Sequence, residues 1–221
     1  MRQTIISQQC QKSKISDIDL KNKAQSLILG FNYTSEIQEL YRIFAEYINE
    51  DASFEKRALI TQKGSFPYSL GKGLFIISNP GAGKTFIFEE LLSSYFTYRK
   101  MTAYQIEDLY SEYGSGALRI HNESIYTRIN ESKSVYDLYI DDFGREAKVL
   151  KHYGTEIKFM DRFIDERYRL LKRNGAITHG SSNFELKDLK TQYSPQTFSR
   201  MFELFNFIVL TDTKDFRMQT L

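Results

Sequence analysis

The segment SNPGAGKT at residues 78–85 constrains the fold more than any other part of this 221-residue sequence. It matches the phosphate-binding pattern G-x-x-x-x-G-K-S/T except at the first position, where Ser78 replaces glycine. A short apolar run at 74–77 precedes it, and apolar residues at helical spacing, including Phe88 and Leu91, follow it. The order of these features predicts a buried parallel strand, a tight loop and a helix, an arrangement that binds phosphate at the start of the helix.

The parts of this loop have separate roles toward a nucleotide. Gly81 and Gly83 let backbone amides turn toward phosphate oxygens with no side chain in the way. Lys84 is expected to place its charge on the β- and γ-phosphates, and Thr85 to give its hydroxyl to magnesium. We therefore expect ATP and Mg²⁺ as the cofactors. The loop residues predicted to contact the nucleotide are Ser78, Asn79, Pro80, Gly81, Ala82, Gly83, Lys84, Thr85 and Phe86.

Strand-like and helix-like segments alternate around and after this loop. Apolar runs predict five strands, at 74–77, 101–105, 135–140, 176–179 and 207–210. Further helices are predicted at 106–113, at 121–129, from Ile157 to a stop at Gly175, and at 195–204. This alternation indicates an α/β fold in which a five-stranded parallel sheet lies between helices.

Two segments before the loop have apolar residues at helical spacing, at 18–28 and 37–48. They predict a short N-terminal helical extension. The chain is accordingly divided into residues 1–60, a candidate partner-binding extension, and residues 61–221, the nucleotide-binding core.

The third predicted strand ends on two acidic residues, Asp141 and Asp142. Ligands of parallel sheets bind at the carboxyl ends of the strands, so both carboxylates are expected near the glycine-rich loop. Asp141 is predicted to bind Mg²⁺, and Asp142 to orient or deprotonate the attacking water. Glutamate usually has the second role. The shorter aspartate predicts either a closer water or slower hydrolysis.

Other polar residues follow the last two predicted strands. Asn183 closes the fourth strand and is a candidate for positioning the water, with a cap or turn role as the alternative. Ser181 and Ser182 are nearby polar candidates. Arg200 lies on the last predicted helix and is a candidate cation for the γ-phosphate of a neighbouring subunit, with a solvated arginine as the alternative. Arg217 lies just beyond the fifth strand.

Basic residues are concentrated on the long helix that begins at Ile157. A stripe of this kind predicts contact with a nucleic-acid backbone. Acidic residues interrupt it, so a salt-bridged surface helix is an equal alternative. The basic residues of the helix are Arg162, Arg167, Arg169, Lys172 and Arg173, and the acidic ones are Asp161, Asp165 and Glu166.

The composition bears on nucleic-acid binding, on the redox compartment and on membrane association. The net charge of +2 does not by itself indicate a nucleic-acid binder. A single cysteine, Cys10, excludes an internal disulfide and fits a reducing compartment. No apolar run approaches the roughly 18 residues of a membrane span. We therefore expect a cytoplasmic protein that does not associate with a membrane.

Several segments together carry a family resemblance. They are IISNPGAGKTFIFEELL, DLYIDDFG, IDERYRLLKRNGAITHGSSNFELKDL and FSRMFELFNFIVLTDTKDFR. In order and rough spacing they resemble the AAA+ ATPases of the DnaC/DnaI and IstB group, which are bacterial replicative-helicase loaders and transposition helper ATPases. The resemblance covers about residues 70–218. It implies an AAA+ P-loop core without a C-terminal lid.

The resemblance also implies roles for single residues and for partners. Asn183 would be the sensor-1 residue, Arg200 an arginine finger acting in trans, and Arg217 a sensor-2-like contact. The implied partners are single-stranded DNA in a central channel, further copies of the chain in the ATP-bound state, and a replicative helicase or a transposase. The N-terminal segment lacks a zinc-type cysteine cluster, so the sequence leaves the choice between these two proteins open.

Two other functions stay open at this point. One is a P-loop kinase for a small molecule, against which stand the Asp141–Asp142 strand end and the lack of an arginine-rich segment before the fifth strand. The other is a binding module that uses ATP only to change shape, with little hydrolysis. Asp142 in place of glutamate keeps this second alternative open.

Overall fold

The computed structural model describes residues 14–28, 33–62, 64–118, 127–129, 132–134, 136–152 and 154–211. The helices in these ranges are α1 (Asp17–Leu27), α2 (Ser35–Ile48), α3 (Lys84–Phe86), α4 (Ala103–Tyr113), α5 (Phe159–Asn174), α6 (Leu186–Gln192) and α7 (Pro195–Leu204). The strands are β1 (Ala58–Thr61), β2 (Gly64–Pro67), β3 (Gly73–Ile77), β4 (Tyr98–Thr102), β5 (Thr127–Ile129), β6 (Ser132–Ser134), β7 (Asp137–Asp141), β8 (Leu150–His152), β9 (Thr155–Ile157), β10 (Thr178–Ser182) and β11 (Phe205–Val209).

Five of these strands form one parallel sheet in the order β11-β3-β10-β7-β4. Every residue of β3 and β10 is buried, as expected for inner strands with helices above and below. The register pairs Ser182 with Ile77 and Gly180 with Ile140, so β3, β7 and β10 end at the same edge of the sheet. The predicted α/β fold with a five-stranded parallel sheet is confirmed.

Helices cover both faces of the sheet, because alternate strand residues point to opposite sides. On one face, α1, α2 and the segment after the glycine-rich loop pack on Leu74, Ile76 and Tyr139. On the other face, α4, α5, α6 and α7 pack around Phe75 and Ile140. None of the helices in the described ranges combines the length and apolar character that a bilayer crossing requires.

The two N-terminal helices share a hydrophobic cluster with the sheet. Leu20 and Ala24 of α1 are fully buried there. The apolar stripe of α2 consists of Ile37, Leu40, Tyr41 and Phe44. The boundary drawn at residue 60 falls inside β1, which forms an antiparallel hairpin with β2. The N-terminal helices therefore cover part of the sheet, and a partner-binding role for residues 1–60 stays a prediction.

Some predicted strand boundaries are wrong by a few residues. The predicted second strand, 101–105, is observed as β4 and ends at Thr102, because Thr102 and Gln105 form the capping box that begins α4. The predicted fourth strand, 176–179, is observed as β10, which extends to Ser182. The third and fifth predicted strands lie within two residues of β7 and β11.

Two predicted helices had different outcomes. The helix at 121–129 is wrong over its last three residues, because Thr127–Ile129 form β5 and pair with β6. The rest of that segment, 121–126, lies outside the described residues. The long helix is confirmed as α5, and it ends as predicted at Gly175, whose left-handed φ of +69° suits glycine.

The basic residues of α5 do not form one charged surface. Arg167 is buried, and its Nε donates to Thr178 Oγ1 at 2.8 Å and its Nη2 to the carbonyl oxygen of Ile177 at 2.9 Å. Burial lowers the pKa of Arg167 to about 10. The ion pairs on the exposed side of the helix include Arg169 with Glu166 and Lys172 with Glu203. The stripe prediction is therefore wrong for Arg167, and ion pairs interrupt the rest of the stripe.

Candidate nucleotide-binding site

A polar cavity of about 400 Å³ lies at the carboxyl ends of β3, β7 and β10. Its volume is within the usual range for small-molecule sites, roughly 300–1,000 Å³. The loops that follow these three strands form its walls, as expected for a parallel sheet. The residues that line it are Pro80, Gly81, Gly83, Lys84, Thr85, Phe86, Asp141, Asp142, Arg145 and Asn183.

The glycine-rich loop has the backbone that the sequence pattern requires. Gly81 and Gly83 both have a φ of +80°, a conformation that side-chain-bearing residues rarely adopt. Gly83 directly precedes a helical segment made of α3, a π turn at Ile87–Leu91 and a 3-10 turn at Leu92–Ser94. The first N–H groups of such a segment have no acceptor within the helix, so they offer hydrogen bonds to an anion at the cavity wall.

Lys84 is buried and its ammonium group is held by oxygen atoms. Nζ donates to the carbonyl oxygens of Ser78 and Asn79 at 3.0 Å each, and to Asn183 Oδ1 at 2.6 Å. It also donates to the Ser78 hydroxyl at 3.0 Å. Ser78, the one departure from the loop pattern, therefore adds an oxygen contact to the lysine. It does not line the cavity itself.

Thr85 and Asp141, the predicted magnesium-binding pair, are in contact. The Thr85 hydroxyl donates to Asp141 Oδ2 at 2.7 Å. The other carboxylate oxygen of Asp141 accepts from the Asp142 amide at 2.9 Å and from the Ser181 hydroxyl. Ser181 in turn contacts the hydroxyl of Tyr139 at 3.2 Å, and burial raises the pKa of this tyrosine. A hydroxyl beside an oriented carboxylate is a donor set that suits Mg²⁺.

Asn183 connects the lysine to the second acidic residue. Its Oδ1 accepts from Lys84, and its Nδ2 donates to Asp142 Oδ1 at 2.9 Å. The following helix, α6, has Glu185 at its N-cap, so Asn183 does not cap it. The structure thus brings Lys84, Asn183 and Asp142 into one hydrogen-bonded chain.

Ser181 and Ser182 lie inside β10 and are fully buried, so neither lines the cavity. The hydroxyl of Ser182 donates to the carbonyl oxygen of Phe143 at 2.6 Å and accepts from the amide of Phe184 at 3.0 Å. These bonds hold the ends of β7 and β10 together. Pairing with β3 keeps these small polar residues in the sheet, beyond the predicted strand at 176–179 and directly before Asn183.

Arg145 lines the cavity and was missed by the sequence reasoning. Its Nη1 donates to Asp142 Oδ2 at 3.0 Å. A turn brings it there: the Arg145 amide donates to the Asp142 carbonyl oxygen at 3.2 Å, and Gly144 between them has a φ of +92°. A glycine and an arginine two and three residues after Asp142 were the available signal.

Arg200, one of the two predicted C-terminal arginines, does not line this cavity. Arg200 forms an ion pair with Asp165 of α5, and its guanidinium lies 5.4 Å from the centre of the Tyr168 ring. An arginine finger that acts on a neighbouring subunit is expected to lie away from the nucleotide site of its own chain. The role of Arg200 in trans therefore stays a prediction. Arg217 lies outside the described residues. Of the loop residues, Ala82 is buried and does not line the cavity.

The donor set as a whole fits a nucleoside triphosphate with Mg²⁺. Lys84 and Arg145 supply positive charge for phosphate oxygens, and the Thr85–Asp141 pair supplies oxygen ligands for the metal. The two glycines leave the loop backbone accessible, and a Cβ added at Gly83 would meet no atom within 4 Å, so the space above it is open.

Solved structures with a similar fold include a DnaC helicase loader, with a TM-score of 0.53 and 15% identity over 86% of this chain and 98% of that one. DnaI gives a TM-score of 0.55 and 15% identity, covering 87% of this chain and 93% of DnaI. AMPPCP-bound DnaA from Aquifex aeolicus gives 0.51 and 15%, over 90% of this chain and 50% of DnaA. No protein-family model matches the chain, and no curated protein matches its sequence. The chain therefore shares its α/β fold with these solved structures.

Proposed function

We propose that this chain is an ATP-binding and ATP-hydrolysing AAA+ protein that assembles on, or loads, a DNA-processing machine. The observation that carries the proposal is the hydrogen-bonded chain Lys84–Asn183–Asp142 beside the Thr85–Asp141 pair, all in one cavity. Bound Mg²⁺ would neutralise charge on the β- and γ-phosphates. A cytoplasmic location belongs to the proposal and rests on the sequence.

The residues of the cavity divide the work of hydrolysis among them. Lys84 would exchange backbone carbonyl oxygens for phosphate oxygens, and the new contact is stronger because the acceptor as well as the donor is then charged. Asn183 holds one oxygen of Asp142, which fixes the direction of the carboxylate. Asp142 would then accept a hydrogen bond from the attacking water and take up its proton.

Arg200 is proposed to act on the nucleotide of a neighbouring copy, so that ATP-bound chains assemble into an oligomer. In the single chain its guanidinium pairs with Asp165, and this pair would have to open on assembly. Arg217 is proposed as a further nucleotide contact. Single-stranded DNA and either a replicative helicase or a transposase are the proposed partners, in keeping with the likeness in fold to a DnaC helicase loader.

A specific observation also favours the alternative of an ATP-switched binding module with little hydrolysis. Each carboxylate oxygen of Asp142 accepts a hydrogen bond, one from Asn183 and one from Arg145. Both oxygens are then already engaged, so a water has to compete with these two donors for Asp142. The small-molecule kinase remains the third candidate.

Phosphate release from ATP, measured with and without single-stranded DNA, separates these functions. The proposal expects turnover that DNA stimulates and that Lys84→Ala abolishes. Tight ATP binding without turnover under any condition would favour the switch module. Transfer of phosphate to a nucleoside or metabolite would favour the kinase.

Mixing variants tests the role of Arg200 in trans. Arg200→Ala retains its own cavity, and Lys84→Ala retains its own Arg200. A mixture of these two inactive variants should regain part of the activity, because one subunit supplies the arginine and the other supplies the site. Arg42→Ala, which also removes an exposed ion-paired arginine, is the control and should behave as wild type. A mixture that stays inactive contradicts a role in trans.

Capture with the full-length chain in the ATP-bound state addresses the partner. A replicative helicase recovered with wild type but not with Lys84→Ala supports loading. A transposase recovered in the same way supports the mobile-element role.

A further inference from the structure

Arg145 is the residue of the cavity to which the proposed function assigns no task. Among the described residues that line the cavity, it and Lys84 carry positive charge, and Asp141 and Asp142 carry negative charge. These four formal charges sum to zero. A triphosphate adds several negative charges close to Asp142, so a cation that moves between the carboxylate and the phosphate would reduce their repulsion.

The backbone that carries Arg145 is anchored on both sides. A Cβ added at Gly144 would lie 2.8 Å from the ring of Phe184, so glycine is required at this close approach as well as by its φ of +92°. On the other side, the buried carboxylate of Glu146 accepts from the Gly144 amide at 2.8 Å and from the Tyr193 hydroxyl at 2.6 Å. The turn therefore holds the arginine Cα at the cavity wall.

The side chain of Arg145, in contrast, is free to change partner. It is 49% exposed, and its ion pair with Asp142 is of the weak, solvent-screened kind. The contact with Asp142 uses one nitrogen, Nη1, whereas the planar fork of the guanidinium can donate to two oxygens of a phosphate at once. A terminal phosphate also carries more negative charge than a carboxylate. Phosphate is thus the stronger partner for Arg145 once a nucleotide is bound.

We propose that Arg145 recognises the terminal phosphate in cis, by transferring its guanidinium from Asp142 to the γ-phosphate of ATP bound to the same chain. This inference rests on the proposed nucleotide site and adds two properties to it. The site prefers ATP over ADP through Arg145, because ADP lacks the phosphate that draws the guanidinium away. The transfer also frees Asp142 Oδ2, so the carboxylate becomes available to water only when a triphosphate is present.

Binding of AMPPCP and of ADP with Mg²⁺, measured by titration calorimetry, tests the preference without relying on turnover. For Arg145→Ala we expect the ratio of the two affinities to fall by about tenfold, the effect of one charge-assisted hydrogen bond, with ADP affinity within about twofold of wild type. Arg145→Lys should recover only part of the ratio. Arg169→Ala removes a matched ion pair to the residue three positions earlier, outside the cavity, and should equal wild type.

Asp142→Asn provides an independent arm, because it removes the carboxylate that competes for the guanidinium. AMPPCP should then bind more tightly than to wild type, and the gain should be clearly smaller in an Arg145→Ala background, where only the lost repulsion between Asp142 and the phosphates remains. If Arg145→Ala changes AMPPCP and ADP affinity equally, or if the gain of Asp142→Asn is equally large without the arginine, the transfer does not occur. Failure of wild type to bind either nucleotide would instead overturn the proposed function itself.

Discussion

Two buried cations, Lys84 and Arg167, lie near opposite ends of β10 and are held in similar ways. Lys84 donates to two backbone carbonyl oxygens at the carboxyl end of the sheet. Arg167 donates to the carbonyl oxygens of Tyr136 and Ile177 and to Thr178 at the amino end. Only Lys84 borders a cavity large enough for a small molecule.

The difference teaches how to distinguish a structural cation from a functional one. Arg167 is 1% exposed and is sealed beneath α5, so its contacts are exchanged for water only on unfolding. Lys84 is 6% exposed, but its ammonium also touches Asn183, which lines the cavity and leads to Asp142. A bound phosphate can replace the oxygens around Lys84 without unfolding the chain.

The largest effect is expected for the loss of Arg167, at the amino end of β10, on the stability of the fold. Arg167→Ala should lower the free energy of unfolding by about 4 kcal/mol, because it leaves a void beneath α5 and removes the donor for Thr178. Urea unfolding followed by circular dichroism measures this change. Arg169→Ala, on the exposed side of the same helix, should change stability by less than about 0.5 kcal/mol. An unchanged midpoint for Arg167→Ala would contradict the structural role.

The second-largest effect is expected at Lys84, where nucleotide affinity should change more than stability does. Lys84→Ala should weaken MgATP binding by about 100-fold, which corresponds to about 2.7 kcal/mol. Its free energy of unfolding should decrease by less than that of Arg167→Ala. Titration calorimetry and urea unfolding of the same sample separate the two quantities. If Lys84→Ala lost as much stability as Arg167→Ala and still bound MgATP, Lys84 would be a structural cation and not a functional one.

A smaller effect is expected from His179, which lies in β10 between the two ends. Burial lowers its pKa to about 3, and its Nδ1 accepts from the Leu74 amide at 3.1 Å. In the unfolded chain the imidazole is protonated below about pH 6.5, whereas in the folded chain it stays neutral down to about pH 3. The stability of the fold therefore decreases as the pH falls from 6.5 to 3. The slope from this group is about 1.4 kcal/mol per pH unit.

His179→Asn isolates that contribution, because the amide oxygen retains an acceptor for Leu74 but does not titrate. The variant should be less stable at pH 7, since the smaller side chain leaves space among the aromatic rings that surround His179, those of Tyr47, Phe88, Phe96 and Tyr98. Its stability should nevertheless fall less steeply than that of wild type between pH 6 and pH 4, as urea midpoints at each pH would show. Parallel profiles would mean that the buried imidazole does not control this slope.

The smallest effect is expected at Ser78, the departure from the loop pattern. Ser78→Gly removes one of the oxygens around Lys84 but leaves the two carbonyl groups and Asn183. We expect MgATP affinity within about threefold of wild type and a stability loss of about 0.5–1 kcal/mol from added chain entropy. A much larger loss of affinity would show that the hydroxyl is essential to the lysine.

Local patterns explain which parts of the site were predictable. The two glycines, the lysine and the threonine are adjacent in sequence, so their spacing alone specifies a loop before a helix. Asp141 and Asp142 were identifiable because an apolar run precedes them. Arg145 was missed because its approach to Asp142 depends on a turn through Gly144 rather than on a periodic pattern.

The hydrogen-bond partners of Arg167 could not be predicted from the sequence. On a helical wheel it lies on the apolar face with Phe163, Ile164 and Leu170, whereas its residue type alone predicts exposure. The carbonyl groups that hold it belong to Tyr136 and Ile177, the residues directly before β7 and β10, which no local pattern connects to the helix.

By itself the sequence determined the α/β class, the five strands of the sheet, the phosphate-type loop and the acidic strand end, because hydrophobic period and glycine placement act over a few residues. The tertiary structure decided that Asn183 joins Lys84 to Asp142, that Ser181 supports Asp141, and that Arg145 enters the cavity. These contacts join segments that follow different strands. They form only when the strand order and register bring the carboxyl ends of β3, β7 and β10 to one edge.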